Sequence, residues 1–301
     1  MDEAVARLSV SLGGGPAAML AATALIEAEA LGKPRFGLDM LNEWAPDAAA
    51  FPSGDGHQPV RWVDCTSCFA PLAVAHATLE LAQAAQRFGI AAIFLRGVRG
   101  FGRFAPFLRH LADAGLVGLA GAEGPPFVAA HGGAQPVIGT NPVAFAMGTG
   151  AGRVIIDMAT STATMADIRD ARDTGAPLPD GIALDAGGRA TRIAAEVAAL
   201  LPRGGRTGSL LGLIVELLAG VAGGGRDDPQ GRGVFLLAFA PPAAGDAIDW
   251  QARLADLRRD WLDGGGHWPG GGGPAPDTRL DRDFTRRLDA RLAHMATKGA
   301  S

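Results

Sequence analysis

Tyrosine is absent from the 301 residues, and lysine occurs only as Lys33 and Lys298. Any mechanism that relies on a phenol as acid or base is therefore excluded. Two lysines against a large excess of arginine also disfavour Schiff-base and P-loop chemistry. No apolar run reaches the roughly 18 residues that span a bilayer, and the N-terminus lacks a basic stretch leading into an apolar one. The formal net charge is −4 and the pI is near 5.9. Such a balance leaves no electrostatic footprint for nucleic acid or an anionic membrane. A cytoplasmic protein with a small-molecule partner is expected.

What is present suits an α/β core. Hydrophobic residues make up 48% of the chain and charged residues 19%, enough for one large domain or two intertwined ones. Residues 16–31 read as a helix with Met19, Leu20, Ala24, Leu25 and Ile26 on its apolar stripe and Gly32 as its stop. Pro46 and the Pro52-Ser53-Gly54-Asp55-Gly56 run mark loops. Strands are expected at 60–64, 90–95 and 116–120, with helices at 71–88 and 104–114 between them. That alternation predicts layered α/β structure. Segments 143–147 and 153–158 flank Gly148-Thr149-Gly150-Ala151-Gly152 and read as a β-hairpin. A Rossmann fingerprint would need a helix after the glycines. Helices follow at 191–201 and 209–222, a strand at 233–240 and a helix at 250–262. The expected organisation is an N-terminal helical segment (1–60), a cofactor-binding core (61–245), a helix (246–263), a Gly/Pro linker (264–276) and a C-terminal helix (277–301). Leu280, Phe284, Leu288 and Leu292 share one face of that last helix. Such a face suits either self-association or packing on the chain's own core.

Two short segments carry most of the chemistry. Gly139-Thr140-Asn141-Pro142 joins an apolar run to a strand, and an Asn-Pro turn exposes backbone N–H groups that can hold a phosphate or carboxamide. Asp157-Met158-Ala159-Thr160-Ser161 ends a buried strand with an acid and two hydroxyls, where α/β sheets place ligands. A plain turn and a helix N-cap explain the same residues without a ligand.

Taken with Gly181-Ile182-Ala183-Leu184-Asp185 and Gly212-Leu213-Ile214-Val215-Glu216-Leu217-Leu218-Ala219-Gly220, these segments resemble successive landmarks of the malate/L-lactate dehydrogenase family, which is unrelated to the Rossmann dehydrogenases. The resemblance runs, more weakly, over residues 64–225. It implies a distinctive non-Rossmann α/β fold and a homodimer with active sites near the subunit interface. It also implies NADH- or NADPH-dependent reduction of 2-keto or cyclic 2-imino acids. Gly139, Thr140, Asn141, Pro142, Asp157, Met158, Ala159, Thr160 and Ser161 would contact the dinucleotide.

The departures are equally specific. The family's Ser-His-Gly and following arginine fall on Gly32-Lys33-Pro34-Arg35-Phe36-Gly37-Leu38-Asp39-Met40, with Phe36 at the histidine and Met40 at the arginine. Where its Asn-Ser-x-His-x-Gly follows a buried strand, 90–95 leads into Arg96-Gly97-Val98-Arg99-Gly100-Phe101-Gly102 without a histidine, and its His-Lys-Gly reads Arg206-Thr207-Gly208. Phenylalanine cannot relay a proton. Arg35, Arg99, Arg103 and Arg206 surround the changed positions and are candidates to anchor an anionic ligand through their planar forks. Of the histidines, His131 beside Gly132-Gly133 is the proton-transfer candidate. A protonated iminium needs no strong enzymic acid, so C=N reduction suits this set. A cofactor-binding but non-reducing relative is the alternative. A third reading is thiol redox or zinc chemistry at Cys65-Thr66-Ser67-Cys68, placed between a strand and a helix, where a thiolate can be stabilised. Zinc would need partners such as His57 and His76. Two buried structural cysteines are the simpler reading, and no metal is expected.

Overall fold

In the computed structural model, residues 1–45, 48–54, 58–227, 232–242, 249–270, 273, 278, 280 and 282–299 are described. Pro46, Asp55, Gly56, His57 and part of the expected 264–276 linker (271, 272 and 274–276) lie outside them. The chain opens with helices α1 (Asp2–Ser11) and α2 (Gly15–Ala30). Proline in the first turn of α2 lacks only an N–H that no helix would use, and Gly32 follows its end at φ 68°. Then come β1 (Val60–Asp64), α3 (Ala70–Phe88), β2 (Ile90–Arg96), α4 (Ala105–Asp113) and β3 (Val117–Ala122). These match the expected alternation.

The short strands β4 (Val128–Ala129) and β5 (Pro136–Ile138) precede the hairpin β6 (Val143–Met147) and β7 (Val154–Met158). Helix α5 (Met165–Thr174) starts at a capping box between Thr164 and Asp167. Strands β8 (Ala183–Leu184) and β9 (Ala199–Leu200), helix α6 (Arg206–Val215), strand β10 (Val234–Phe239) and helices α7 (Trp250–Asp263) and α8 (Arg282–Gly299) complete the fold.

The strands form two sheets, ordered β1-β2-β10-β3-β6-β7 and β5-β4-β9-β8. Only β1 and β2 pair in parallel in the larger one. Strand β10 inserts between β2 and β3 because it is apolar on both faces. Val234, Leu236 and Ala238 are fully buried on one face and Phe235 is buried on the other, and a strand covered on both faces belongs mid-sheet. The main core joins α1–α4, this sheet and α8, and a second core lies under the smaller sheet around Val128, Ile138, Ile168 and Leu200.

Two expectations need correction. Segment 191–201 is not a helix: residues 194–196 make one 3-10 turn, and Ala199 and Leu200 form β9. Alanine-rich composition favours a helix there, but pairing with Leu184 and Ala183 buries Ala199 and Leu200 completely. The Thr191 hydroxyl also accepts from the Ile193 N–H, an interaction that competes with helix entry. Helix α6 begins at Arg206 rather than at 209, and residues 216–222 continue it as a π-helix. Of the two uses open to the apolar face of α8, packing on the chain's own core is the one observed: Phe284, Leu288 and Met295 are buried there.

Candidate functional site

The β6–β7 hairpin places the two motif loops side by side. Val143 pairs with Met158, so the segment entering β6 (139–142) and the segment leaving β7 (157–161) share one end of the sheet. Hydrogen bonds join them. The Thr160 N–H donates to the Thr140 carbonyl at 3.1 Å, and the Thr160 hydroxyl donates to the Asn141 carbonyl at 3.0 Å. Ser161 is fully buried and donates to the Ala163 carbonyl at 2.6 Å. Asn141 is 1% exposed, with its amide turned towards α6. Gly139 cannot carry a side chain, since a Cβ would sit 2.7 Å from both Asn141 Oδ1 and the Gly124 N–H. Thr140, Pro142 and Ala159 are half-buried, and Met158 is exposed. The hydroxyls and amide that suggested ligand contacts therefore serve largely to brace the loops.

Helix α6 supplies the adjoining wall. Gly204 and Gly205 take left-handed backbone angles just before its first residue, Arg206. Arg203, which sequence reasoning missed, ties this turn to the β7 loop. Its N–H donates to the Thr160 carbonyl at 2.8 Å, and its guanidinium to the Ala159 and Thr162 carbonyls at 3.3 Å each. The signal for it was its place next to Gly204-Gly205. His131 joins the same corner: its N–H donates to Ser209 Oγ at 3.1 Å, and its Cε1 lies 3.4 Å from where a Cβ on Gly205 would be. His131, Arg203 and Arg206 are all exposed there. The helix presses on both loops, because a Cβ on Gly212 would meet Thr160 Oγ1 at 2.9 Å and Ile138 Cδ1 at 3.0 Å.

A second cluster gathers at the changed positions. A Cβ on Gly102 would lie 3.0 Å from the Phe36 carbonyl, and one on Gly100 would lie 3.8 Å from Met40 Sδ. The two segments thus face each other, with Phe36 and Met40 in place of the family's histidine and arginine. Asp157 connects this cluster to the first. Its Oδ2 accepts from the Ala105 N–H at 2.9 Å, bracing the first turn of α4. Burial raises its pKa, against the lowering by that N–H and by the charges of Arg103 and Lys33. Arg103 also acts on Glu27, whose own carboxyl is pushed up by burial. Arg35 pairs with Asp170 and Asp173 of α5, while Arg99 is exposed.

The cysteines lie beside Asp64, whose negative charge disfavours a thiolate. Both are free, and burial pushes the Cys65 thiol up to about 12 and raises Cys68 in the same direction. This is the opposite of what a redox thiolate needs. His76 stacks on Phe51 at 5.6 Å, and His57 lies outside the described residues. Among the described residues, no group of three or more His, Cys, Asp or Glu could hold a metal. In native protein at pH 8, a thiol reagent is expected to leave Cys65 unmodified and to react slowly at Cys68. Both should react at once in denaturant. Fast stoichiometric labelling of the native protein would contradict the buried placement.

A family model described as malate/L-lactate dehydrogenase matches residues 16–263. The chain belongs to this family. The malate/L-lactate dehydrogenase match takes in both motif loops and all of α6. The Delta(1)-pyrroline-2-carboxylate/Delta(1)-piperideine-2-carboxylate reductase of Pseudomonas syringae pv. tomato is 38% identical over 167 residues, 54% of this chain and 49% of that protein. The chain spans about half the length of the reductases it matches in this way. The (2R)-3-sulfolactate dehydrogenase (NADP(+)) of Chromohalobacter salexigens is 33% identical, covering 74% of each chain. Among solved structures, Delta1-piperideine-2-carboxylate reductase from the same Pseudomonas superposes with a TM-score of 0.78 at 26% identity, covering 96% of this chain and 98% of that one. The non-Rossmann malate/lactate dehydrogenase-like fold expected from the motifs is therefore the fold observed. No helix among the described residues is long and apolar enough to cross a membrane.

Proposed function

We propose that this chain is an NADH- or NADPH-dependent oxidoreductase acting on a small imine or keto-acid-like substrate, with a cyclic 2-imino acid favoured. The observation that carries the reading is the convergence of the 139–142 loop, the 157–161 loop and the α6 N-terminus. One hydrogen-bonded corner results, with Arg206 and His131 at its open side. This donor set fits a dinucleotide. The first-turn N–H groups of α6 have no intrahelical partners and favour an anion, and Arg206 adds a charge beside them. Gly204 admits close approach, since a Cβ there would meet nothing within 4 Å.

The bound nicotinamide would supply the hydride. The chain's own residues would hold and orient: the two loops through their backbone, and Arg99, Arg103, Arg35 and Arg206 as anchors for an anion. Arg35 would do so only by sharing its guanidinium with Asp170 and Asp173. His131 is the candidate proton donor. Phe36 and Met40 offer no proton, which suits an iminium that is already protonated. The relatives named as pyrroline- and piperideine-2-carboxylate reductases support that substrate class. The same apolar pair also favours a second reading, a family member that binds cofactor without reducing a substrate.

Titration with NADH and NADPH, followed by nicotinamide fluorescence or heat, decides between these. Saturable micromolar binding followed by oxidation in the presence of piperideine-2-carboxylate is the expected result. Binding without oxidation by any imine or keto acid selects the second reading, and no binding up to millimolar cofactor overturns both.

A homodimer is part of the proposal. Leu210, Leu213, Ile214, Leu217, Leu218 and Val221 form one outward stripe along α6 and the π-helix, each between 38% and 59% exposed. A continuous stripe at this spacing calls for a partner surface. Replacing Leu213 and Leu217 together by Glu is expected to shift sedimentation from dimer to monomer. A wild-type protein that is already monomeric would end the dimer reading.

A further inference from the structure

Helix α6 runs into a carboxylate where its inward face should be apolar. Glu216 is 4% exposed, and the hydrogen-bond register widens from α to π at this residue. Such π-helical insertions are uncommon and recur at functional sites. One oxygen of Glu216 pairs with Arg226, and the other accepts from Asn141 Nδ2 at 2.9 Å. The same Nδ2 donates to the Gly212 carbonyl at 2.9 Å, so both amide hydrogens are used. Glu123 also approaches this group but is held separately by the Gly233 N–H at 2.6 Å.

Asn141 has a φ of 39°, the one positive value at a non-glycine residue among those described. A left-handed backbone at such a residue persists where its surroundings hold it. Here the hold comes from the amide bonds to α6. It passes on to the cofactor loops, because the Asn141 and Thr140 carbonyls receive the Thr160 hydroxyl and N–H.

We propose that Glu216 is a positioning residue: through Asn141 it fixes the 139–142 and 157–161 loops in one geometry and so sets dinucleotide affinity without touching the dinucleotide. This rests on the cofactor reading above. Three variants test it, each measured for NADH and NADPH affinity and for amide hydrogen exchange at Thr160. Glu216→Met keeps the volume and removes the acceptor, and should weaken binding about tenfold and speed Thr160 exchange. Glu216→Gln restores an acceptor for the Asn141 amide and should recover most of both. Asn141→Gly accepts the left-handed backbone but breaks the link while leaving the Glu216–Arg226 pair in place. It should reproduce the Glu216→Met effect, and the double variant should be no worse than either single one.

Additive losses, or unchanged affinity and exchange in Glu216→Met, would overturn the proposal. Equal losses in Glu216→Met and Glu216→Gln would also count against it. If Glu216→Met does not fold, Asn141→Gly alone decides, since normal affinity and exchange there would refute the link. If the wild-type protein binds neither cofactor, the functional reading fails. The exchange data then still report whether Glu216 holds the loops, and unchanged Thr160 exchange would refute that too.

Discussion

Gly208→Ala is expected to destabilise the protein by about 3 kcal/mol, near the upper end of overpacking costs, and to abolish tight cofactor binding. A Cβ at position 208 would lie 1.9 Å from the Arg203 carbonyl oxygen and 2.8 Å from its carbon. Both are backbone atoms, so no rotamer change can relieve the contact. Arg203 must move, and it is bonded through its N–H to the Thr160 carbonyl. Separating the two therefore opens the joint between α6 and the β7 loop. Gly152→Ala is the control: its backbone is ordinary and a Cβ would meet nothing within 4 Å, so its stability should stay within about 0.5 kcal/mol of wild type. Thermal unfolding and cofactor titration of both variants check this. Equal behaviour of the two would show that α6 does not depend on this close approach.

Removing Arg287 should cost a similar amount. Its guanidinium lies 2.5 Å from Glu29, a carboxylate with only 2% of its side chain exposed, while Arg287 itself keeps 39%. Breaking a buried pair from one side leaves an uncompensated charge, worth about 3–5 kcal/mol in general. The partial solvation of Arg287 puts Arg287→Ala at about 3 kcal/mol, the lower end of that range. The other Glu29 oxygen accepts from the Leu38 N–H at 2.8 Å, so the loss should loosen both α8 and the segment that carries Met40. Urea denaturation and limited proteolysis measure the two effects. A Glu29→Gln, Arg287→Ala double variant should recover part of the stability by removing the stranded charge. Unchanged stability in the single variant would mean that α8 is held by Phe284, Leu288 and Met295 alone.

The fold was legible wherever structure is local. The helix ends at Gly32, Gly89 and Gly115 follow from a residue type suited to positive φ, and the β6–β7 hairpin follows from glycines between two strand-like runs. Helices α1 and α5 and the short strands β4, β5, β8 and β9 are not isolated by sequence alone. The strands, of two or three residues each, carry no periodicity, and partners across the fold define them.

The site divides in the same way. The positions of the two loops could be read from 139–142 and 157–161, because turn chemistry belongs to consecutive residues. The uses of their side chains could not, since whether Asn141, Thr160 and Asp157 face a ligand or brace the protein depends on α4 and α6. Likewise, only the folded chain shows that Arg35 shares its guanidinium with Asp170 and Asp173, and that burial raises both cysteine thiols, in keeping with the simpler structural reading of the pair.

By itself, the sequence determined the class of fold, the family, the two loops and the absence of a proton donor at Phe36. These depend on residue type and short spacing, which the chain carries without folding. The tertiary structure alone decided that β10 fills the middle of the sheet, that 199–200 is a strand and that α8 packs on its own core. It also decided that Glu216 reaches Asn141. Each of these is a competition for burial between segments far apart in the chain, settled by which pairing removes the most apolar surface from water and leaves the fewest polar groups unpaired.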